Sequence, residues 1–264
     1  MTAPLVINSP HNPVVQGWRG LNRSRKARMA AGAFIAEGEH MAQEAMKAGR
    51  ATALLCCDAL LDRYQALTAA AEAAGLPVFI LSERALEAVA DTKTPQGVLC
   101  ICGLPETDSL PDLPLVVALE NVQDPGNVGT ILRTMDAIGS AGVLRSRECA
   151  DVFAPKTLRA TMGAVFRVPI RIADDFHGAL QSLKGSGYSL MAGSLDGEPF
   201  YDRPADAART CLLIGNEGQG LTRETAAMAD QKVRLPMPGE AESLNAAVAC
   251  AVMAYDVLRR RLSP

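Results

Sequence analysis

Residues 115–134 read LVVALENVQDPGNVGTILRT. Leu115 to Leu119 are apolar without a break, the pattern of a strand buried on both faces. Ile131, Leu132, Met135 and Ile138 recur at helical spacing. Between them lies a polar bend in which Asp124-Pro125-Gly126 supplies the turn chemistry, so that Asn127 is expected to begin the helix. Strand, polar turn and helix in that order open a βαβ unit, and this decides for an α/β fold.

The alternation continues to the C-terminus. Strands are predicted at 115–120, 142–145, 168–170, 188–193, 211–215 and 233–237, with helices at 127–139, 155–163, 175–185, 222–229 and 244–261. Near-continuous apolar strands separated by helices imply a mostly parallel sheet covered on both faces. On the N-terminal side GLPETDSLPDLP (103–114) is rich in proline and acid and lacks any period, as a linker would be. The expected division is therefore a first domain at 1–103, a linker at 104–114 and a second domain at 115–264. The first domain reads as a basic helix over about 13–31, then FIAEG as a strand, a helix ended by Gly49, ALLCC as a strand and an alanine-rich helix to Gly75. PVFIL, a helix capped by Ser82 and GVLCIC complete a second α/β sandwich.

At 264 residues the chain is comfortable for two domains of about 150 residues or fewer. With 48% apolar and 21% charged residues it is of ordinary globular composition, which excludes disorder and a disulfide scaffold. No basic head and apolar core of a secretory leader opens the chain, and no apolar run approaches the roughly 20 residues that span a bilayer, so the expected compartment is the cytoplasm, without a membrane segment. The seven cysteines fall mostly in apolar runs and lack metal-ligand spacing; with three histidines in the chain, reduced core thiols and no metal are expected. The net charge of −3 hides a local bias, because WRGLNRSRKAR (18–28) carries Arg19, Arg23, Arg25, Lys26 and Arg28 and no acid. Such a run is either a solvated helix face or a set of phosphate contacts.

In open α/β sheets ligands bind beyond the carboxyl ends of the strands, so three turns matter: 121–127, LLIGNEGQGL (212–221) and LPMPGEAESLNAAVA (235–249). None holds G-x-G-x-x-G, since Gly126 and Gly129 are wrongly spaced and Gly215, Gly218 and Gly220 run in the reverse order; a dinucleotide enzyme is thereby disfavoured. Glu217, an acid among glycines, suits either a ligand hydroxyl or amide, or the N-terminus of a neighbouring helix. Ser243 is expected to cap the last helix, whose apolar side is Leu244, Val248, Ala251, Val252, Tyr255 and Leu258 and whose end carries Arg259 to Arg261. That leaves Asn245 unexplained, together with Pro236, Pro238 and Gly239, which keep the preceding loop extended.

Taken together, N-x-x-D-P-x-N-x-G-x-I-x-R-T, I-G-N-E-G-Q-G-L and L-P-M-x-G-x-x-x-S-L-N-A closely resemble the signature motifs of the SpoU or TrmH family of RNA ribose 2'-O-methyltransferases in the SPOUT superfamily. The resemblance covers 115–261, and INSPHNP (7–13), FIAEG (34–38) and TPQGV (94–98) are similar to the accessory RNA-binding domain that many members carry. One departure is Thr161 in RATMGAVFRVPI, where the family often has serine; the hydroxyl is kept.

The resemblance implies a C-terminal α/β domain tied in a deep trefoil knot, a smaller ribosomal-protein-like α/β domain before it, and a homodimer whose site draws on both subunits. It implies S-adenosylmethionine as cofactor, bound by Gly193, Ile214, Gly215, Leu235, Met237 and Leu244. Arg133 matches the arginine assigned to the ribose hydroxyl, with Asn127, Glu217, Ser243 and Asn245 around it. A guanidinium is a poor proton acceptor. Two roles are therefore open for Arg133: a base helped by an RNA phosphate, or an electrostatic stabiliser of the developing alkoxide. The implied substrate is structured RNA, ribosomal of the 23S type in preference to transfer RNA, and the competing function is an RNA-binding assembly factor that does little chemistry.

Overall fold

The computed structural model describes residues 5–262. The chain opens with β1 (Leu5–Ile7), α1 (Pro13–Arg23), α2 (Arg25–Ala31), β2 (Ala33–Glu37), α3 (Glu39–Lys47) and β3 (Ala51–Cys57). It continues with α4 (Gln65–Ala73), β4 (Val78–Leu81), α5 (Glu83–Val89) and β5 (Val98–Gly103). These strands form one mixed sheet in the order β1-β4-β3-β5-β2, in which β5 runs antiparallel to both of its neighbours. The single basic helix expected over 13–31 is two helices. Ser24 is extended at φ −137° and accepts from the Ala27 N–H, so it ends one helix and caps the next. Val15, Trp18 and Leu21 of α1 bury themselves with Leu55, Leu81 and Leu99, and Trp18 meets Phe79 edge-on at 5.0 Å.

The second half of the chain comprises β6 (Leu115–Leu119), α6 (Pro125–Ile138), β7 (Ala141–Ser146), α7 (Pro155–Thr161), β8 (Ile170–Ala173), α8 (Phe176–Gly185) and β9 (Ser189–Pro199). It closes with β10 (Thr210–Ile214), α9 (Arg223–Met228), β11 (Gln231–Arg234) and α10 (Ala246–Leu262). The second sheet is parallel throughout, in the order β11-β9-β10-β6-β7-β8. β6 and β10 are buried along their whole length, as unbroken apolar strands should be, and α8 covers one face through Phe176, Ala179, Leu180 and Leu183. α10 packs against α6 and β10. At its end Arg260 donates to the carbonyls of Pro204 and Arg203, and Arg261 to that of Pro114, so these arginines fasten neighbouring loops as well as complementing the helix dipole. Among the described residues no helix is long and apolar enough to cross a membrane, and no group of three or more His, Cys, Asp or Glu could hold a metal.

The chain forms two compact units, and one is discontinuous: Asp151–Arg167 belongs with the residues up to Pro105, while Glu106–Ala150 and the residues from Val168 onward form the other. Within the first unit Phe34 of β2 packs against Phe153 at 5.1 Å and Phe166 at 6.0 Å. Arg28 lies in the same unit. Read from the sequence as an RNA contact, it is only 5% exposed, donates to the Leu21 carbonyl and pairs with Asp151 at 2.6 Å. A guanidinium enclosed in this way cannot meet a phosphate, so Arg28 leaves the set of RNA-contact residues. Arg23, Arg25 and Lys26 are exposed and Arg19 is half-buried.

Removing one member of a buried pair leaves the other charge uncompensated, at a cost of roughly 3 kcal/mol or more. Arg28→Met should therefore lower the unfolding free energy of the first unit by about that amount, read from urea denaturation; an Arg28→Met protein of wild-type stability would mean that the pair is not a structural tie.

Candidate functional site

The three polar turns meet at the carboxyl edge of the parallel sheet. α6 starts two residues earlier than the sequence suggests: Asp124, not Asn127, is its N-cap, accepting from the Asn127 N–H at 2.9 Å, and Pro125 occupies the first helical position. The Glu217 carboxylate then closes over this helix start. It accepts from the N–H groups of Gln123 (3.1 Å) and Asp124 (3.0 Å) and from the Asn127 amide (2.9 Å). Of the two roles open to Glu217, the structure places it at a helix N-terminus. Burial pushes its carboxyl up, but the bonds from Asn127, Asp124 and Gln123 outweigh that and hold it below the ordinary glutamate value near 4.5.

Asn127 passes the connection on, its Oδ1 accepting from the Asn245 amide at 2.8 Å. Asn245 in turn caps α10, accepting from the N–H groups of Ala247 (2.9 Å) and Val248 (3.2 Å). This corrects the reading of Ser243 as the cap: Ser243 is exposed two positions earlier, and the unexplained Asn245 does its work. One continuous polar chain, Glu217–Asn127–Asn245, thus joins all three motifs.

Gly193, Ile214 and Gly215 lie side by side, because β9 and β10 pair with Ala192 opposite Leu213. Just beyond Ala192, the ladder between β9 and β11 jumps from Ala192–Lys232 to Glu198–Val233, so residues 193–197 swing out of it. Leu195 and Leu244 are left 58% and 40% exposed, while Leu235 and Met237, on the loop after β11, are half-buried. Gly215 has a reason of its own: a Cβ there would run into the backbone of Gly220 and Leu221. Arg133 is exposed on α6 and makes no ion pair with any described residue.

Several residues at this edge had no role in the sequence reading. Asn121 adopts a left-handed φ of 56°, exchanges hydrogen bonds with Ser146 and accepts from the Asn216 amide at 2.8 Å. Asn216 also bridges to Gly220 and accepts from the N–H groups of Gly218 and Gln219, which makes the turn a compact knuckle. Glu120 is 4% exposed and bonds to Thr222 and Thr225. A lone acid closing an otherwise apolar strand was the available signal for it.

The SpoU rRNA Methylase family model matches residues 114–255, and an MRM3-like substrate binding domain matches residues 12–100. The 23S rRNA (guanosine(2553)-2'-O)-methyltransferase RlmP of Bacillus subtilis is 34% identical over 95% of this chain and 98% of its own. The chain belongs to the SpoU rRNA Methylase family. Among other SpoU relatives, the 23S rRNA (uridine(2479)-2'-O)-methyltransferase of Streptomyces viridochromogenes is 28% identical over 96% of this chain and 91% of its own. The AdoMet-bound rRNA methyltransferase from Sinorhizobium meliloti superposes with a TM-score of 0.86 at 31% identity, covering 98% of each chain. The architecture here is thus the α/β fold of SpoU methyltransferases preceded by a second α/β unit.

A carboxylate whose folded value is depressed stabilises the protein above its unfolded value and loses that contribution as pH falls through the folded one. Glu217→Gln should therefore lower the melting temperature at neutral pH and flatten the fall in stability below about 4.5, read by thermal denaturation across the carboxylate range. An unchanged profile would mean that Glu217 does not fasten α6.

Proposed function

We propose that the chain transfers the methyl group of S-adenosylmethionine to a ribose 2'-hydroxyl of ribosomal RNA of the 23S type. The observation that carries this reading is the direct bonding of Glu217, Asn127 and Asn245, three motif residues from distant parts of the chain, into one array beside Arg133's helix. Relatives matched end to end include 23S methyltransferases acting on a guanosine and on a uridine, which supports the RNA class and leaves the base unassigned.

The residues at the edge fit the cofactor. Bare leucines such as Leu244 offer a wall to an adenine ring, and the backbone of residues 193–197, out of the ladder, offers polar groups to the methionyl part. Gly193, Ile214, Gly215, Leu235, Met237 and Leu244 would hold it. When bound, it supplies a methyl group already activated for displacement. Most of the chain's own contribution is positioning. Glu217 and Asn245 hold Asn127 and the start of α6, which fixes the helix that presents Arg133, and Ser243 lies exposed next to Leu244. Arg133, uncommitted to any carboxylate among the described residues, stabilises charge developing on the 2'-oxygen, the role that suits a guanidinium better than proton abstraction.

The reading assigns RNA capture to the first unit, through Arg19, Arg23, Arg25 and Lys26 and without Arg28. It includes a deep trefoil knot in the second unit, supported by the family resemblance, and a homodimer, supported by Val248 and Tyr255 on α10, which are 49% and 48% exposed. The reading includes a cytoplasmic location, supported by the ribosomal RNA substrate it proposes.

Arg133→Ala should bind S-adenosylmethionine within about twofold of wild type by calorimetry while methylating 23S rRNA from a deletion strain roughly 10²- to 10³-fold more slowly. Normal turnover by that variant would remove Arg133 from the mechanism, and a wild-type chain that neither binds the donor nor methylates the RNA would overturn the function.

If the four remaining basic residues each meet a phosphate, log affinity for RNA should fall against log salt with a slope of about 3, at about 0.7 per contact for single strands. Replacing Arg23, Arg25 and Lys26 by Gln should lower that slope by about 2; an unchanged slope would return the stretch to a solvated face.

A further inference from the structure

We infer that Glu120 is a positioning residue for methyl transfer, clamping both ends of the glycine-rich turn that carries Glu217. The inference rests on the methyltransferase reading above. Glu120 follows the last residue of β6, and its N–H donates to the Ile214 carbonyl at 2.9 Å, where the turn begins. Its carboxylate reaches the place where the turn ends. Oε2 accepts from the Thr222 N–H at 2.8 Å, and Oε1 accepts from the hydroxyls of Thr222 (2.8 Å) and Thr225 (2.6 Å).

The carboxylate is held without an arginine or lysine partner among the described residues. His177 is the nearest basic group, with Nε2 3.9 Å from Oε1 and 2.9 Å from the Thr225 hydroxyl. A buried carboxylate is tolerated only with its lone pairs matched, and here three donors converge on it. Alanine would remove all three contacts, whereas glutamine would keep most of them, because its amide oxygen can accept from the Thr222 N–H while its NH2 donates to the hydroxyl oxygens of Thr222 and Thr225.

The entry and exit of the turn are fastened differently, and that difference makes the role testable. Ile214 and Gly215 at the entry are held by the Glu120 peptide N–H, which a side-chain substitution leaves in place. The exit at Thr222 depends on the carboxylate. Between them the Asn216–Gly220 bridge keeps the knuckle compact, so release of the exit moves it as a body and carries Glu217 away from Asn127. Donor binding should survive, and alignment for transfer should not. A misplacement of about 1 Å costs on the order of 10²-fold in rate.

The test uses the full chain, tritiated S-adenosylmethionine and 23S rRNA lacking its ribose methyl group. Glu120→Ala should lower kcat by roughly 10- to 100-fold while calorimetric affinity for S-adenosylmethionine stays within about twofold. Glu217→Gln should show the same split, and the double variant should be no slower than Glu217→Gln alone, because both act through one contact. Should Glu120→Ala not fold, Thr225→Val, which removes one of the three donors, should lower kcat several-fold with donor affinity kept. Wild-type kcat in whichever of these variants folds, loss of donor affinity in step with kcat, or defects that multiply in the double variant would overturn the clamp. An inactive wild type would instead overturn the methyltransferase reading, so the two failures are distinguishable.

Discussion

The second unit is organised around one carboxylate at the start of one helix. A helix N-terminus presents N–H groups that its own backbone cannot satisfy and carries partial positive charge. Glu217 meets that need from another part of the chain, accepting from Gln123 and Asp124 and then from the Asn127 side chain. Because Asn127 uses its remaining acceptor on Asn245, and Asn245 caps α10, the starts of the two helices that pack on each other share a single hydrogen-bonded array. Three turns far apart in the chain are thereby held in mutual register by one set of hydrogen bonds.

The sheet beneath supplies the flat edge on which this array stands. Parallel strands end on the same side, and β9, β10 and β6 are consecutive neighbours, so Gly193, Ile214 and Glu120 arrive at one rim. The turn at the end of each strand then decides the chemistry. After β6 the chain turns polar and starts a helix; after β10 it folds back on itself so tightly that position 215 has no room for a side chain. The glycine is needed by the turn before any ligand is considered, and its proximity to a bound cofactor is a further use of the same bare backbone.

Much of this was legible in the sequence, because its strongest signals are local. Unbroken apolar runs such as Leu115–Leu119 and Leu212–Ile214 mark doubly covered strands, and the structure has them buried throughout. The three motifs were legible as turns at strand ends. The partners of their side chains were not: whether Glu217 faces a ligand or a helix depends on a neighbour about ninety residues away in the chain. Capping went astray for the same kind of reason. Ser243 and Asn245 are both good caps by residue type, and the choice falls to Asn245 because only that one is also tied to Asn127. Ser24 breaks a helix that composition would have continued, since a serine hydroxyl competes with the backbone for N–H groups. Arg28 looked like its basic neighbours until the fold supplied Asp151, more than a hundred residues onward. β1, with only three residues, is too short to show a period.

The segment Asp151–Arg167 has a consequence for anyone who would dissect this chain. It leaves the parallel sheet after β7, contributes Phe153, Phe166 and Asp151 to the first unit, and returns as β8. A cut near Pro105 therefore does not separate two modules. It would leave the N-terminal fragment with an uncovered Phe34 and a stranded guanidinium, and the C-terminal fragment with an orphaned segment between the two strands at one edge of its sheet. The polypeptide is stitched, and its halves are defined by folding and not by order along the backbone.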